Sequence, residues 1–150
     1  KVILKRRCLV LSKLPYFIYL IARGFHRLHL NPIAYFIVFF NRILFGLYLP
    51  AEARLGKNVR FGYGGSGVVL HKDCIIGDNV IIGPGVVIGG KSGIVEVPIV
   101  GDNCFLAAGC KILGPVILGN NVVVGANAVV VNSFGDGTVV AGMPAKRITK

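Results

Sequence analysis

Residues 70–93 read LHKDCI-IGDNVI-IGPGVV-IGGKSG, and residues 100–129 read VGDNCF-LAAGCK-ILGPVI-LGNNVV-VGANAV. The first place of every hexad is Leu, Ile or Val, and the second is usually Gly. The fifth is small or β-branched: Cys74, Val80, Val86, Cys104, Cys110, Val116, Val122, Ala128. Upstream, LPAEAR from Leu49 and LGKNVR from Leu55 keep the same pattern. A period of six is neither the 3.6 of a helix nor the 2 of a strand. It requires a coil with sides of six residues. Three short strands and three tight turns make a triangular coil of ~18 residues, stacked at the ~4.8 Å strand spacing. The expected fold is therefore mainly β, a left-handed parallel β-helix. First and fifth places point inward, and glycine is expected to relax the corners. Val80→Asp would bury an unpaired carboxylate.

Two stretches break the period. FGYGGSGVV (residues 61–69) has nine residues where six are expected, and GGKSGIVEVPI (residues 89–99) keeps phase but loses the pattern. Loops interrupting a rigid solenoid are the places to look for function. The organisation reads as a helical N-terminal segment over residues 1–47, a β-helix over 48–134 and a tail over 135–150.

The N-terminal segment has its own chemistry. The 150-residue chain has a mean hydropathy of +0.72 and 54% hydrophobic residues. Its formal charge is +11, of which residues 1–48 carry +8 with no acid. Pro15 can open a helix reaching residue 28, and Asn31-Pro32 an N-cap for a second helix ending near Leu44, with Gly46 beyond it. At about fourteen residues each, ~21 Å, neither would span ~30 Å of hydrocarbon. They are expected to pack on the open first coil or to lie at a membrane interface. Basic charge with high apolar content favours an anionic membrane surface over nucleic acid, for which no recognition fold is legible.

The four cysteines, at 8, 74, 104 and 110, form no CxxC pair and no zinc cluster. Three fall on the inward fifth place and read as core. No signal-peptide cleavage pattern is legible, and reduced thiols agree with the expectation of a cytoplasmic chain, with the inner face of the membrane as its place of association.

The run GDNVIIGPGVVIGGKSG, then VPIVGDNCFLAAGCKILGPVILGNNVVVGANAVVV, then GTVVAGMPAKRI resembles the hexapeptide-repeat acyltransferase superfamily, in its serine acetyltransferase and colanic-acid (capsule) acetyltransferase branch. The short helical segment favours the polysaccharide side of that branch. The resemblance implies O-acetyl transfer from acetyl-CoA to a hydroxyl by a homotrimer, with no metal requirement. The main expectation is a sugar acceptor in surface polysaccharide biosynthesis. The alternatives are a short serine acetyltransferase and a catalytically silent CoA-binding or scaffold trimer. By motif, the resemblance places CoA against Gly89, Gly90, Lys91, Ala107, Ala108, Ala126 and Lys146. Lys111 and Arg147 are further cations for its phosphates.

One departure matters. Relatives commonly carry a histidine base where Tyr63 stands, a carboxylate just before the proline matched by Pro50, and a second histidine at Val97. Here Tyr63 and Val97 stand at the histidine places, and the residues before Pro50 are Leu47, Tyr48 and Leu49. His71 is the histidine left in the β-helix. It and Tyr63 are the candidates for catalysis, while Asp73, Asp78 and Asp102 read as turn residues.

Overall fold

A computed structural model describes the backbone of residues 2–148 and the side chains of residues 12–148. The side chains of Lys1, Lys5, Arg6, Arg7 and Cys8, counted above, lie outside the described ones. Two helices, α1 (Val2–Arg27) and α2 (Asn31–Phe45), precede a left-handed parallel β-helix. Its first coil holds β1 (Arg54–Leu55), β2 (Arg60–Phe61) and β3 (Val69–Leu70). The second holds β4 (Ile75–Ile76), β5 (Ile81–Ile82) and β6 (Val87–Gly89). The third holds β7 (Ile99–Val100), β8 (Phe105–Leu106) and β9 (Lys111–Leu113). The fourth holds β10 (Ile117–Leu118), β11 (Val123–Val124) and β12 (Val129–Val130). Corresponding strands stack into three faces: β1-β4-β7-β10, β2-β5-β8-β11 and β3-β6-β9-β12. Face two continues into β13 (Val139–Ala141), parallel to β11, and β14 (Lys146–Arg147), antiparallel to β13.

The inward register is the one read from the hexads. All eight fifth-place residues named above are buried, as are first-place residues such as Leu70, Ile82, Leu106 and Val124. Each buried aliphatic side chain stabilises the fold by about 1.5–3 kcal/mol relative to exposure. Burial also pushes the Cys74 and Cys110 thiols up to about 12. Both belong to the core, as does Cys104, whose Sγ donates to the Gly119 carbonyl at 3.1 Å.

The second-place glycines do not have the role expected of them. None of Gly77, Gly83, Gly101 or Gly125 adopts a positive φ. They are required because the next coil is too close. A Cβ on Gly101 would stand 2.7 Å from the Gly119 carbonyl carbon, and one on Gly83 would stand 2.7 Å from the Ala108 nitrogen. The left-handed corner conformation falls instead on the fourth place: on Asn58, Asn79, Asn103 and Asn121, with φ of 56 to 58°, and on Gly85 and Gly109, at 68° and 72°, where glycine does relax the corner. Asn tolerates this region better than most residues.

Beside those asparagines runs a ladder. Asp78 Oδ1 accepts from the Lys57 N–H, and Asp102 Oδ1 from the Asp78 N–H, both at 2.7 Å. Asn120 Oδ1 accepts from the Asp102 N–H, and Asp136 Oδ1 from the Asn120 N–H, both at 2.8 Å. These carboxylates satisfy corner amides of the preceding coil, the structural role expected of Asp78 and Asp102.

Both helices depart from expectation at their starts. α1 runs through Pro15, which is buried inside it, so Pro15 does not open the helix. Proline removes one helical N–H, and contact with α2 supports the helix across it: Asn41 Nδ2 donates to the Pro15 carbonyl at 3.2 Å. The 26 residues of α1 extend about 39 Å, longer than expected. Still, among the described residues no helix is long and apolar enough to cross a membrane. α2 is capped by Leu30 without a side-chain bond, and Asn31 Oδ1 meets His26 Nδ1 at 2.8 Å instead. Gly46 ends α2 in the left-handed conformation, as its place predicts.

α1 also covers the open end of the solenoid. Strand β1 has no neighbouring strand on its outer side. Tyr19, 1% exposed, donates its hydroxyl to the Ala53 carbonyl. That hydroxyl also accepts from Arg23 Nη1 at 2.7 Å and from the Leu55 N–H at 3.4 Å. Tyr16 donates to the Gly56 carbonyl at 2.7 Å. An edge that would otherwise invite another strand is thereby covered.

Candidate functional site

His71 and Gly89 share an open groove along face three, with Tyr48, Val69, Lys72 and Ile88. The groove lies where β3 and β6 end and the chain turns toward face one. His71 is held by its backbone, which donates to the Ile88 carbonyl at 2.9 Å, and its side chain is 36% exposed. This corner tolerates a side chain in the second place because the next residue in the column, Gly89, leaves room. The Asp73 N–H donates to His71 Nδ1 at 3.2 Å, while Asp73 Oδ2 stands 3.7 Å from the same nitrogen. The first contact is a hydrogen bond and the second is too long to be one. In the neutral ring Nδ1 is therefore the acceptor and Nε2 carries the proton. In that tautomer Nε2 donates to a ligand. It can take a proton only if Nδ1 is protonated and turns to the Asp73 carboxylate.

Tyr63 lies on the opposite edge of face three, in the 3₁₀ turn Gly62–Gly65 that forms the first interruption. It is 84% exposed and holds φ 52°, ψ 37°. A bulky residue in this region carries strain, which is common where a loop serves a function. Phe45 of α2 supports the turn: a Cβ on Gly64 would meet its ring at 3.1 Å. The structure thus puts the two catalytic candidates on different edges of one face rather than in one groove.

The second interruption folds as a small hairpin, with Lys91 bridged antiparallel to Ile94. Gly90 and Lys91 line a pocket with Ile94, Leu113, Pro115 and Val131. Val97 packs behind them, its Cγ1 3.7 Å from where a Gly90 Cβ would stand. Ala107, Ala108 and Ala126 mark successive coils along the corner between faces two and three. The Asn127 N–H donates to the Ala108 carbonyl at 2.9 Å. Ala108 and Ala126 are exposed, and so are Lys111 on face three and Lys146 and Arg147 on β14. Small side chains along a corner suit a thin, amide-rich arm, and these cations suit phosphates. These residues fit CoA in chemistry, but they are spread along an open surface.

Sequence reading passed over two participants. Tyr48 lines the groove under the Arg42 guanidinium, 5.7 Å from its ring centroid. Asp73 was assigned to the turn alone, although its spacing from His71 is the signal that could have paired them.

The model of the bacterial transferase hexapeptide (six repeats) matches residues 65–90 and 98–132. A serine acetyltransferase of Staphylococcus epidermidis is 42% identical over 106 residues, covering 69% of this chain and 49% of that protein. The chain belongs to the hexapeptide-repeat acyltransferase superfamily. Within this superfamily its likeness falls on the serine acetyltransferase branch. The soybean serine acetyltransferase apoenzyme superposes with a TM-score of 0.84 at 31% identity, over 90% of this chain and 56% of that one. A serine acetyltransferase in complex with CoA gives 0.82 at 26% identity, over 89% and 55%. The chain spans about half the length of the curated relatives it matches. These relatives shift the weight from sugar acceptors to serine, and none of them supports polysaccharide biosynthesis.

Proposed function

We propose that this protein transfers an acetyl group from acetyl-CoA to the hydroxyl of serine or of a small serine-like acceptor. The observation that carries this reading is the 42% identity to a serine acetyltransferase over 106 residues. Acetyl-CoA supplies an activated thioester. The acceptor oxygen bonds to the acetyl carbon, the carbon–sulfur bond breaks, and the acceptor proton ends on the CoA thiol. Gly89, Gly90 and Lys91, with Ala107, Ala108 and Ala126, would lie along the pantetheine arm, and Lys146 near the nucleotide. Trimeric assembly would set the open groove of one protomer against its neighbour. A reducing cytoplasm suits the buried thiols.

The base is the unusual part. His71 would act through Nε2 in the tautomer that carries its proton on Nδ1, turned toward the Asp73 carboxylate, and Asp73 would be its positioning residue. Tyr63, on the other edge of the same face, would reach that acceptor only from a neighbouring protomer of the trimer. A CoA-binding protein without turnover is the second reading. The groove-side Nε2–H and the residues Tyr63 and Val97, where relatives carry histidines, favour it.

The test is CoA thiol release with L-serine and with a panel of sugars, for wild type, His71→Ala and Asp73→Asn. Serine-dependent release abolished by His71→Ala is the expected result. Asp73→Asn is expected to shift the pH profile of kcat while leaving KM for acetyl-CoA unchanged. Release from sugars alone overturns serine as acceptor. CoA binding with no release from any acceptor overturns the enzyme and leaves the second reading.

A further inference from the structure

The outward side of the helical pair carries a wide apolar stripe on each helix. On α2, Ile33, Phe36, Phe39, Phe40, Ile43 and Leu44 all face away from the solenoid, with Phe36 68% and Ile43 64% exposed. The opposite stripe, Ala34, Val38 and Asn41, is buried. On α1, Leu14, Phe17, Ile21 and Leu28 recur at helical spacing and are exposed as well. Apolar faces this wide are uncommon on soluble chains and mark a contact surface. The inward stripe of each helix is already used, by the partner helix and by the first coil. The outward faces therefore await something else.

Charge identifies the occupant. Residues 1–48 hold eight Lys and Arg and no acid. Lys13 and Arg27 are exposed beside the apolar stripe of α1. Arg23, Arg27 and Lys57 meet at an open cleft between α1 and the first coil, where Asp78 is the one carboxylate beside three cations. A second copy would bring the described cations Lys13, Arg27 and Arg42 against their own like, with no carboxylate in residues 1–48 to pair them. An anionic lipid surface offers both a hydrocarbon layer for the aromatics and negative charge for the rim. No described helix can cross a membrane, so the pair would lie in the plane of the interface.

We infer that α1 and α2 dock this protein in the plane of an anionic phospholipid membrane, with Phe36, Phe40 and Ile43 in the acyl boundary. The inference is independent of the acetyl-transfer reading. The docked α1 seals the first coil, so the solenoid stands off the membrane from that end.

Flotation of the full chain with vesicles tests this. One set is pure phosphatidylcholine and the other contains about one-third phosphatidylglycerol. Wild type is expected to float with the anionic vesicles at least about tenfold more than with neutral ones, and less in high salt. The exposed triple variant Phe36→Ser/Phe40→Ser/Ile43→Ser is expected to lose about tenfold of that binding. Lys13→Gln/Arg27→Gln is expected to weaken it at low salt only. Thermal melting of each variant checks that the fold is kept. Equal flotation of wild type with both vesicle types overturns the inference, as does undiminished binding by the folded triple variant. A wild type that stays unbound, and whose particle mass drops in sedimentation on the serine substitutions, also overturns it by showing a second copy on that face.

Discussion

Replacing Tyr19 with phenylalanine removes one oxygen and leaves the ring, so no cavity opens. The oxygen is the hub of the cap on the first coil. It donates to the Ala53 carbonyl and accepts from Arg23 and from the Leu55 N–H, the last at 3.4 Å. Arg23 is only half-buried and can turn to water, so its loss adds little. The Ala53 carbonyl is enclosed, and leaving such a group unpaired costs about 1–3 kcal/mol. The long bond to Leu55 adds about 1 kcal/mol at most. The sum is roughly 1–4 kcal/mol, which lowers the melting temperature of a 150-residue chain by roughly 2–16 °C. Burial also raises the Tyr19 phenol above its ordinary value near 10, against a lowering by Arg23. A raised folded-state value means this contribution is complete below pH 10 and is lost as pH rises through the folded value. Thermal unfolding by circular dichroism at pH 7 and above pH 10 measures both. The substitution should also flatten the alkaline loss of stability. A melting temperature unchanged to within a degree at pH 7 would refute the view that α1 satisfies the first coil.

Two further outcomes follow from the coil packing. Gly101→Ala should destabilise by about 1–3 kcal/mol, because its Cβ meets the Gly119 backbone at 2.7 Å. Gly135→Ala, with nothing within 4 Å and no positive φ, should be neutral or slightly stabilising. Denaturant titration of both variants would show them indistinguishable if backbone freedom, and not close approach, governs the second place. Iodoacetamide at pH 8 should leave Cys74, Cys104 and Cys110 unlabelled in the native protein and label them on unfolding. The reasons are burial and, for Cys74 and Cys110, thiols pushed up to about 12. Peptide mapping reads each site separately, and native labelling of Cys110 would contradict the inward register.

The solenoid was legible because its period of six has one physical solution, and the inward places of Val80 or Cys104 follow from counting. The α1 start was not, because Pro15 is a strong local signal that tertiary packing against Asn41 and α2 overrides. The role of Gly77 and Gly101 was also hidden, since the atoms that exclude a Cβ belong to a coil about one turn further along the chain. At the site, motif order located the corner residues and the GGKSG hairpin. The pairing of His71 with Asp73 required geometry, because only distances show which oxygen or amide holds Nδ1. Tyr63 and His71 are eight residues apart, and only the three-sided winding puts them on separate edges.

The cap that α1 places on the first coil has a consequence for how the chain is made. Every parallel strand pair joins strands one coil apart: Arg54 with Ile75, Ile75 with Ile99, Ile99 with Ile117. Tyr19 meets Ala53 across 34 residues. A ribosome releases the helices before β1, and β1 before each successive coil, so every new coil emerges after the surface it must pair with. Local partners close quickly, and the vulnerable edge is always the most recent one. The helical pair is in this sense the starting block of a structure that winds outward in the order of its own synthesis.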